Sequence, residues 1–288
     1  MERKPILGVI GGSGLYELEG LQSVEWRTIE TPFGSPSSPV IIGDLGGKTV
    51  AFLARHGIGH TISPAEVNYR ANIYALKALG IERVVSVSAC GSLREDFAPG
   101  DVVVPDQLFD RTAGRANSFF GEGIVAHVSV AEPFCDDLSA ALFDSVTRVG
   151  GTAHSGGALV TIPGPRFSTR AESNAYRAWG MSIIGMTACP EAFLAREAEM
   201  CYAVMAHVTD YDVWHIAEEP VTVEMVVRTL QANTRLAQQA IGGLLETLPP
   251  GRACACGTAL KDALITSRVH AASEARRRLA LLLGHYFD

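Results

Sequence analysis

Five short clusters in this chain carry side chains that can hold an anion or move a proton. Ala54-Arg55-His56-Gly57 sets a guanidinium beside an imidazole. The first is a planar fork of donors suited to phosphate or carboxylate, and the second can donate or shuttle a proton. Thr209-Asp210-Tyr211-Asp212 places two carboxyl groups at i and i+2, on one side of an extended chain. Such a carboxyl can be held neutral as a proton donor or stay ionised as an acceptor. Gly185-Met186-Thr187, ahead of Cys189-Pro190-Glu191, sets a hydroxyl beside a predicted helix start, where an oxyanion is favoured. Ser88-Ala89-Cys90-Gly91-Ser92 keeps the backbone open to a ligand, but no base pairs with Cys90 in the sequence, so a nucleophilic thiol is not read there. Gly11-Gly12-Ser13-Gly14 lets backbone N–H groups approach an anion and adds a hydroxyl. Each cluster has a plain alternative: a tight turn, a surface arginine, a helix cap or an Asx turn.

The elements that must position these clusters alternate between strand and helix. Strand patterns cover Ile6–Ile10, Val40–Ile42, Val50–Leu53, Val84–Val87, Asp101–Val104, Ala158–Ile162, Ser182–Gly185 and Tyr202–Val208. Gly46-Gly47 between the second and third marks a hairpin. Helical patterns cover Asn68–Leu79, Glu132–Val149, a segment starting at Ser168, Pro190–Met200, Val221–Leu248 and a tail from Ser273 to Tyr286. Ser168 with Glu172 misses the spacing of a capping box by one residue. This alternation predicts an α/β fold: a single domain with a mixed, mostly parallel central sheet flanked by helices. All five clusters follow predicted strands, and ligands of open α/β sheets bind at strand carboxyl ends. Pro249-Pro250-Gly251 divides a body, residues 1–250, from a helical extension, residues 251–288, too short to hold its own core.

Composition excludes several classes. The 288 residues carry a formal net charge of −7, so no basic field points to nucleic acid or an anionic membrane. No stretch of about 20 apolar residues exists, and the N-terminal apolar run is too short for a secretion signal; the cytoplasm is the expected compartment. A dinucleotide-binding protein is disfavoured, because the glycine loop lacks its third glycine and the region near Glu30 reads as a loop instead of an acidic strand end. Six cysteines include a C-x-C pair, Cys254 and Cys256. Further zinc ligands are missing from its sequence neighbourhood, so no metal site is expected. Inert thiols and structural disulfides both stay open.

Seven motifs in order carry a resemblance: the glycine loop, Ala-Arg-His-Gly, Asn68-Tyr69-Arg70-Ala71-Asn72, Ser88–Ser92, Ile162-Pro163-Gly164-Pro165-Arg166-Phe167-Ser168 with Arg170-Ala171-Glu172, Met186-Thr187 with Pro190-Glu191, and Thr209–Asp212. Across residues 6 to 248 the chain resembles the trimeric purine nucleoside phosphorylase superfamily and, within it, the 5′-methylthioadenosine phosphorylases. The resemblance implies phosphorolysis of S-methyl-5′-thioadenosine to adenine and 5-methylthioribose 1-phosphate, with inosine, guanosine or methylthioinosine as alternative substrates. It implies phosphate contacts from Ser13, Arg55, His56, Ser88, Ala89 and Thr187. Ser13 and Ser88 stand where relatives often have threonine. Met186 would meet the ribose; Phe167, Ser168, Asp210, Tyr211 and Asp212 the purine; and Val223, Val226 and Val227 the 5′-methylthio group. His127 would enter a neighbouring subunit's site in a homotrimer or a dimer of trimers. Proton delivery to the leaving base would fall to Asp210 with Asp212, phosphate would be the co-substrate, and no organic cofactor or metal would be needed.

Overall fold

The computed structural model describes residues 3–12, 15, 20–215 and 223–287, with residues 223 and 225–232 described by backbone alone. Strands β1 (Leu7–Gly11), β4 (Lys48–Ala54), β5 (Arg83–Ser92) and β11 (Cys201–Asp210) form the centre of one eleven-stranded sheet. β2 (Gln22–Arg27) and β3 (Val40–Leu45) extend one edge; β10 (Ile183–Gly185), β9 (Ala158–Thr161) and β7 (Gln107–Asp110) continue beyond β5. β6 (Val102–Val104) and β8 (Ala153–Ser155) branch off β11. Six of the ten described pairings are parallel, so the mixed, mostly parallel sheet matches its prediction.

Alternation along the central strands feeds two apolar layers, as the two-residue period of a strand requires. Val50, Phe52, Ala203 and Met205 face one layer, which is closed by α2 (Asp136–Arg148) and α5 (Val223–Thr247). Ala51, Leu53, Tyr202 and Val204 face the other, closed by α1 (Tyr69–Ala78) and α4 (Ala188–Glu197). Burial on both faces explains why these strands read as continuous apolar runs. The chain beyond Gly251 adds Leu260, Leu279, Leu282 and Leu283 to the second layer. No helix among the described residues is long and apolar enough to cross a membrane.

Several boundaries differ from the sequence reading for local reasons. α3 (Arg170–Ala178) is capped by Thr169, one residue after the predicted start at Ser168. That one-residue shift supplies the spacing Ser168 lacked: the Thr169 hydroxyl accepts from Glu172 N, and the Glu172 carboxylate accepts from Thr169 N at 2.7 Å. Cys189 is extended inside α4, so regular helix begins at Pro190, where a missing N–H costs nothing. α4 stops at Glu197 instead of Met200, and Glu199 adopts a left-handed φ of 55°. The tail is two helices, α6 (Ser273–Arg278) and α7 (Ala280–Phe287), separated at Leu279. The hairpin turn at Gly46-Gly47 has positive φ at both residues, the conformation that two-residue hairpins demand.

Candidate active site

The carboxyl ends of β1, β4, β5, β10 and β11 converge. Gly11 pairs with Ala54, and Arg55 N donates to Gly11 O at 3.0 Å. β11 lines one edge of β5 from Arg83 to Gly91. On the opposite edge β1 departs after Ser86 and β10 arrives only at Gly91. Val87 to Cys90 therefore have no ladder partner on that edge among the described residues. Ser88, Ala89 and Gly91 are half-buried there, whereas Arg83 to Val87 are buried. The sheet thus opens a notch between two strand ends, the place where α/β folds take ligands.

Arg55 closes the floor of the notch at one end. It is 2% exposed and Glu191 is fully buried. Arg55 Nε and Nη2 grip the two Glu191 oxygens at 2.9 and 3.0 Å, Nη2 also donates to Ser86 Oγ at 2.6 Å, and Tyr202 Oη donates to Glu191 at 2.8 Å. Burial alone would favour the neutral guanidine; the adjacent carboxylate more than offsets this and raises the Arg55 pKa. The fork expected to face phosphate is committed inward. Only Nη1, which donates to Val87 O at 3.3 Å, keeps an N–H uncommitted among the described residues. Glu191, read in the sequence as a helix opener, is the carboxylate that fixes this arginine.

His56 leaves the same strand end. Its Nδ1 lies 2.9 Å from Ile62 O; a carbonyl can only accept, so Nδ1 carries the hydrogen and Nε2 presents a lone pair. Burial, then the charge of Arg55, lowers the imidazole to about 4. His56 is accordingly neutral at pH 7 and is not the free donor the sequence suggested. Thr187 is buried and its hydroxyl makes no capping hydrogen bond, which removes the helix-cap reading and leaves the group for a ligand. The Met186–Cys189 turn is held by Arg115: Nη1 donates to Met186 O at 2.8 Å and Cys189 O at 2.6 Å, and Nη2 to Pro163 O at 2.8 Å. No sequence signal marked Arg115, because its partners are backbone carbonyls far along the chain.

The aspartates fold over β5 from the other side. A Cβ on Gly91 would stand 3.0 Å from Asp210 Oδ1 and 3.2 Å from Asp212 Cβ, so only glycine lets them approach. Asp210 accepts from Thr209 Oγ1 at 2.6 Å and from Asp212 N at 2.8 Å. Burial raises its pKa against these two bonds. Asp212 has a left-handed φ of 51°, and its buried Oδ2 has no hydrogen-bond partner. Burial raises this carboxyl to about 6. Four steps along the strand lead from Val87, beside Arg55, to Gly91, beneath the aspartates, a span of roughly 13 Å. Cys90 is buried and burial pushes its thiol up, consistent with an inert side chain.

The remaining expected residues fall into three groups. Phe167 is 37% exposed and Ser168 is buried, with no partner for Ser168 Oγ; Arg166 pairs with Glu172 at 2.7 Å and ties this loop to α3. Tyr211 stacks on His215 at 4.7 Å. His127 is exposed, and its N–H donates to Ala263 O in the extension. Ser13 and the side chains of Val223, Val226 and Val227 lie outside the described residues. In the Asn68–Asn72 motif both asparagines are structural: Asn68 donates to Phe33 O, and Asn72 exchanges two hydrogen bonds with Ser37. The expectation that Cys254 and Cys256 lack nearby companions is corrected, because folding brings Cys135 and Cys201 to them.

Similarity to known proteins agrees with this geometry. A family model described as the phosphorylase superfamily matches residues 6–247. An S-methyl-5′-thioadenosine phosphorylase of Geobacter sulfurreducens is 51% identical over 98% of this chain and 99% of that protein. One of Thermofilum pendens is 52% identical over 90% and 98%. Among solved structures, a methylthioadenosine phosphorylase from an antarctic soil metagenomic library superposes with a TM-score of 0.92 at 45% identity, covering 98% of this chain and all of that one. The Schistosoma mansoni methylthioadenosine phosphorylase in complex with adenine gives 0.81 at 38%, covering 90% and 96%. The chain belongs to the phosphorylase superfamily.

Proposed function

We propose that this protein cleaves S-methyl-5′-thioadenosine with inorganic phosphate, releasing adenine and 5-methylthioribose 1-phosphate. The carrying observation is the pair of buried, raised carboxyls at Asp210 and Asp212, set across a strand notch from Thr187, Ser88 and a neutral His56. Relatives at about half identity bear the name of this activity.

Phosphate sits under the sugar, held by Ser13, Ser88, the Ala89 N–H, Thr187, His56 and the free edge of Arg55. His56 Nε2 accepts the hydrogen of a protonated phosphate oxygen, or takes up a proton as the dianion arrives, because an adjacent anion favours the charged imidazole. The reaction passes through a ribosyl cation-like state, by analogy with glycoside cleavage, and the phosphate charge stabilises it. The departing purine gains negative charge, and the Asp210–Asp212 pair, titrating as a unit, delivers a proton to N7. The 6-amino group of adenine is a donor and wants a carboxylate acceptor; a 6-oxopurine presents an acceptor instead. Phe167, Ser168, Met186 and Tyr211 enclose base and ribose, and Val223, Val226 and Val227 receive the thioether. His127, exposed and anchored to the extension, completes the site of a neighbouring protomer in a trimer. Phosphate is the co-substrate, no organic cofactor takes part, and the enzyme works in the cytoplasm.

The test is base release followed chromatographically with and without phosphate. Methylthioadenosine should yield adenine only with phosphate, faster than inosine yields hypoxanthine, and Asp210→Asn should depress the first reaction far more than the second. Equal losses on both substrates remove the base-reading role, and phosphate-independent release removes the phosphorolysis.

A further inference from the structure

Four sulfurs meet where the C-terminal extension joins the body. Cys135 is the residue on which α2 starts, Cys201 opens β11, and Cys254 and Cys256 bracket the start of a 3₁₀ turn at Ala255–Thr258. All four Sγ atoms lie within 4.8 Å of one another, with Cys201 and Cys254 at 3.3 Å. Thiolates at about 2.3 Å around a tetrahedral zinc stand about 3.8 Å apart, whereas a disulfide needs about 2.05 Å. Cys135, Cys201 and Cys256 are buried, and Cys254 is partly open to solvent, which gives an ion a way in. The C-x-C bite is one residue shorter than the usual C-x₂₋₄-C; the turn beginning at Ala255 aims both sulfurs at one centre.

The surroundings suit negative sulfur. Arg196 Nη1 donates to Cys256 Sγ at 3.4 Å. The Leu138 N–H faces Cys135 at the N-terminal, positive end of α2. Such outer donors steady metal-bound thiolates. Next to the cluster the extension is already tethered, since Arg252 donates to Glu199 O at 2.8 Å and Glu199 accepts from Leu260 N at 3.0 Å.

We propose that Cys135, Cys201, Cys254 and Cys256 form a four-thiolate site for a zinc ion that clips the extension to the body. Binding releases the S–H protons to solvent and makes four Zn–S bonds, with no electron transferred. Four protein ligands leave no open position on the ion, so its role is structural and separate from phosphorolysis.

The experiment uses the full-length protein, purified with reductant and Zn²⁺ present. Elemental analysis should find one zinc per chain, and thiol titration of the folded protein should find these four cysteines protected. Replacement by Co²⁺ should give the intense thiolate-to-cobalt bands of a tetrahedral site. Removing the ion with a strong chelator should lower Tm while leaving methylthioadenosine turnover intact below that temperature. Cys254→Ser, at the most exposed ligand, should lose the stoichiometric metal. If a variant does not fold, the unmodified chain decides alone. Reduced protein that takes up neither Zn²⁺ nor Co²⁺ overturns the site, as does peptide mapping that finds these cysteines joined by disulfides in the native chain.

Discussion

Two buried ionic clusters border the same notch and differ in one respect. Around Arg55 the acceptors are matched: both Glu191 oxygens accept from Arg55, one of them also from the Tyr202 hydroxyl, and Ser86 Oγ accepts from Arg55, a closed set. Around Asp212 the set is open, with one carboxylate oxygen buried and unpartnered and the group held to about 6. Equal burial therefore serves opposite ends. A closed cluster fixes shape, and its residues matter to folding. An open one stores an unsatisfied proton site, and its residues matter to chemistry at some expense of stability.

The sharpest way to break this contrast is to open the closed cluster. Glu191→Ala leaves an uncompensated buried guanidinium and should cost about 3–5 kcal/mol of unfolding free energy, read by denaturant titration. A loss under 1 kcal/mol would mean that water reaches Arg55 and the cluster is not closed. The next largest effect concerns an unpartnered group with no ligand to meet. His207 is fully buried on β11, both ring nitrogens lack partners, and burial lowers it from 6.5 to about 4. Between those values the unfolded chain binds a proton that the folded chain refuses. The His207 contribution to stability is therefore intact above about pH 6.5 and falls by about 3 kcal/mol as pH drops to about 4, while the raised carboxyl of Asp212 contributes in the opposite direction over part of that window. His56, lowered in the same direction, adds to this slope. Denaturation of the protein and of His207→Leu across that window should differ by this decline, the variant losing about 3 kcal/mol less between about pH 6.5 and about pH 4; identical pH dependence would mean that water reaches the ring.

The strand-end residues of both clusters were more legible in the sequence than the partners that hold them. Arg55, His56, Ser88, Thr187 and Asp210 each follow an apolar run that had to be a buried strand, so their place at strand ends follows from local pattern. Arg115 and the Arg55–Glu191 pairing were hidden, because their partners are brought together by tertiary packing alone. The same holds for the cysteines: Cys254 and Cys256 show a pair, but only the fold adds Cys135 and Cys201. Strands were missed where they are exposed. β2 and β7 have mostly exposed residues and lack the apolar run that betrays a buried strand, and β8 has only three residues.

Asp212→Asn tests the open cluster from both sides. Losing the proton store should lower kcat/KM for methylthioadenosine about 10²-fold, or about 2.7 kcal/mol of barrier. It should also remove a fall in rate above about pH 6, since the donor must be protonated to act. The same change should raise unfolding free energy at pH 7, because an ionised carboxyl no longer has to be buried without a partner. Loss of activity together with loss of stability would place Asp212 with the closed cluster instead.

The smallest effect separates loop positioning from both clusters. Thr169 and Glu172 form a complete capping box at the start of α3, directly after Phe167 and Ser168. Thr169→Ala removes one of the two reciprocal bonds and should cost about 1 kcal/mol. If that cap sets where Phe167 and Ser168 meet the base, the change should raise KM for the nucleoside several-fold and leave KM for phosphate and the pH profile unaltered. Asp210 accepts from Thr209 Oγ1 and Asp212 N, and His56 is bonded to Ile62 O, all outside α3; only the Ser173 hydroxyl, one turn beyond the cap, reaches from α3 toward Asp212 and lowers its carboxyl. An altered pH profile in Thr169→Ala would show instead that the cap also sets the Ser173 hydroxyl against Asp212, and the open cluster would then extend into α3.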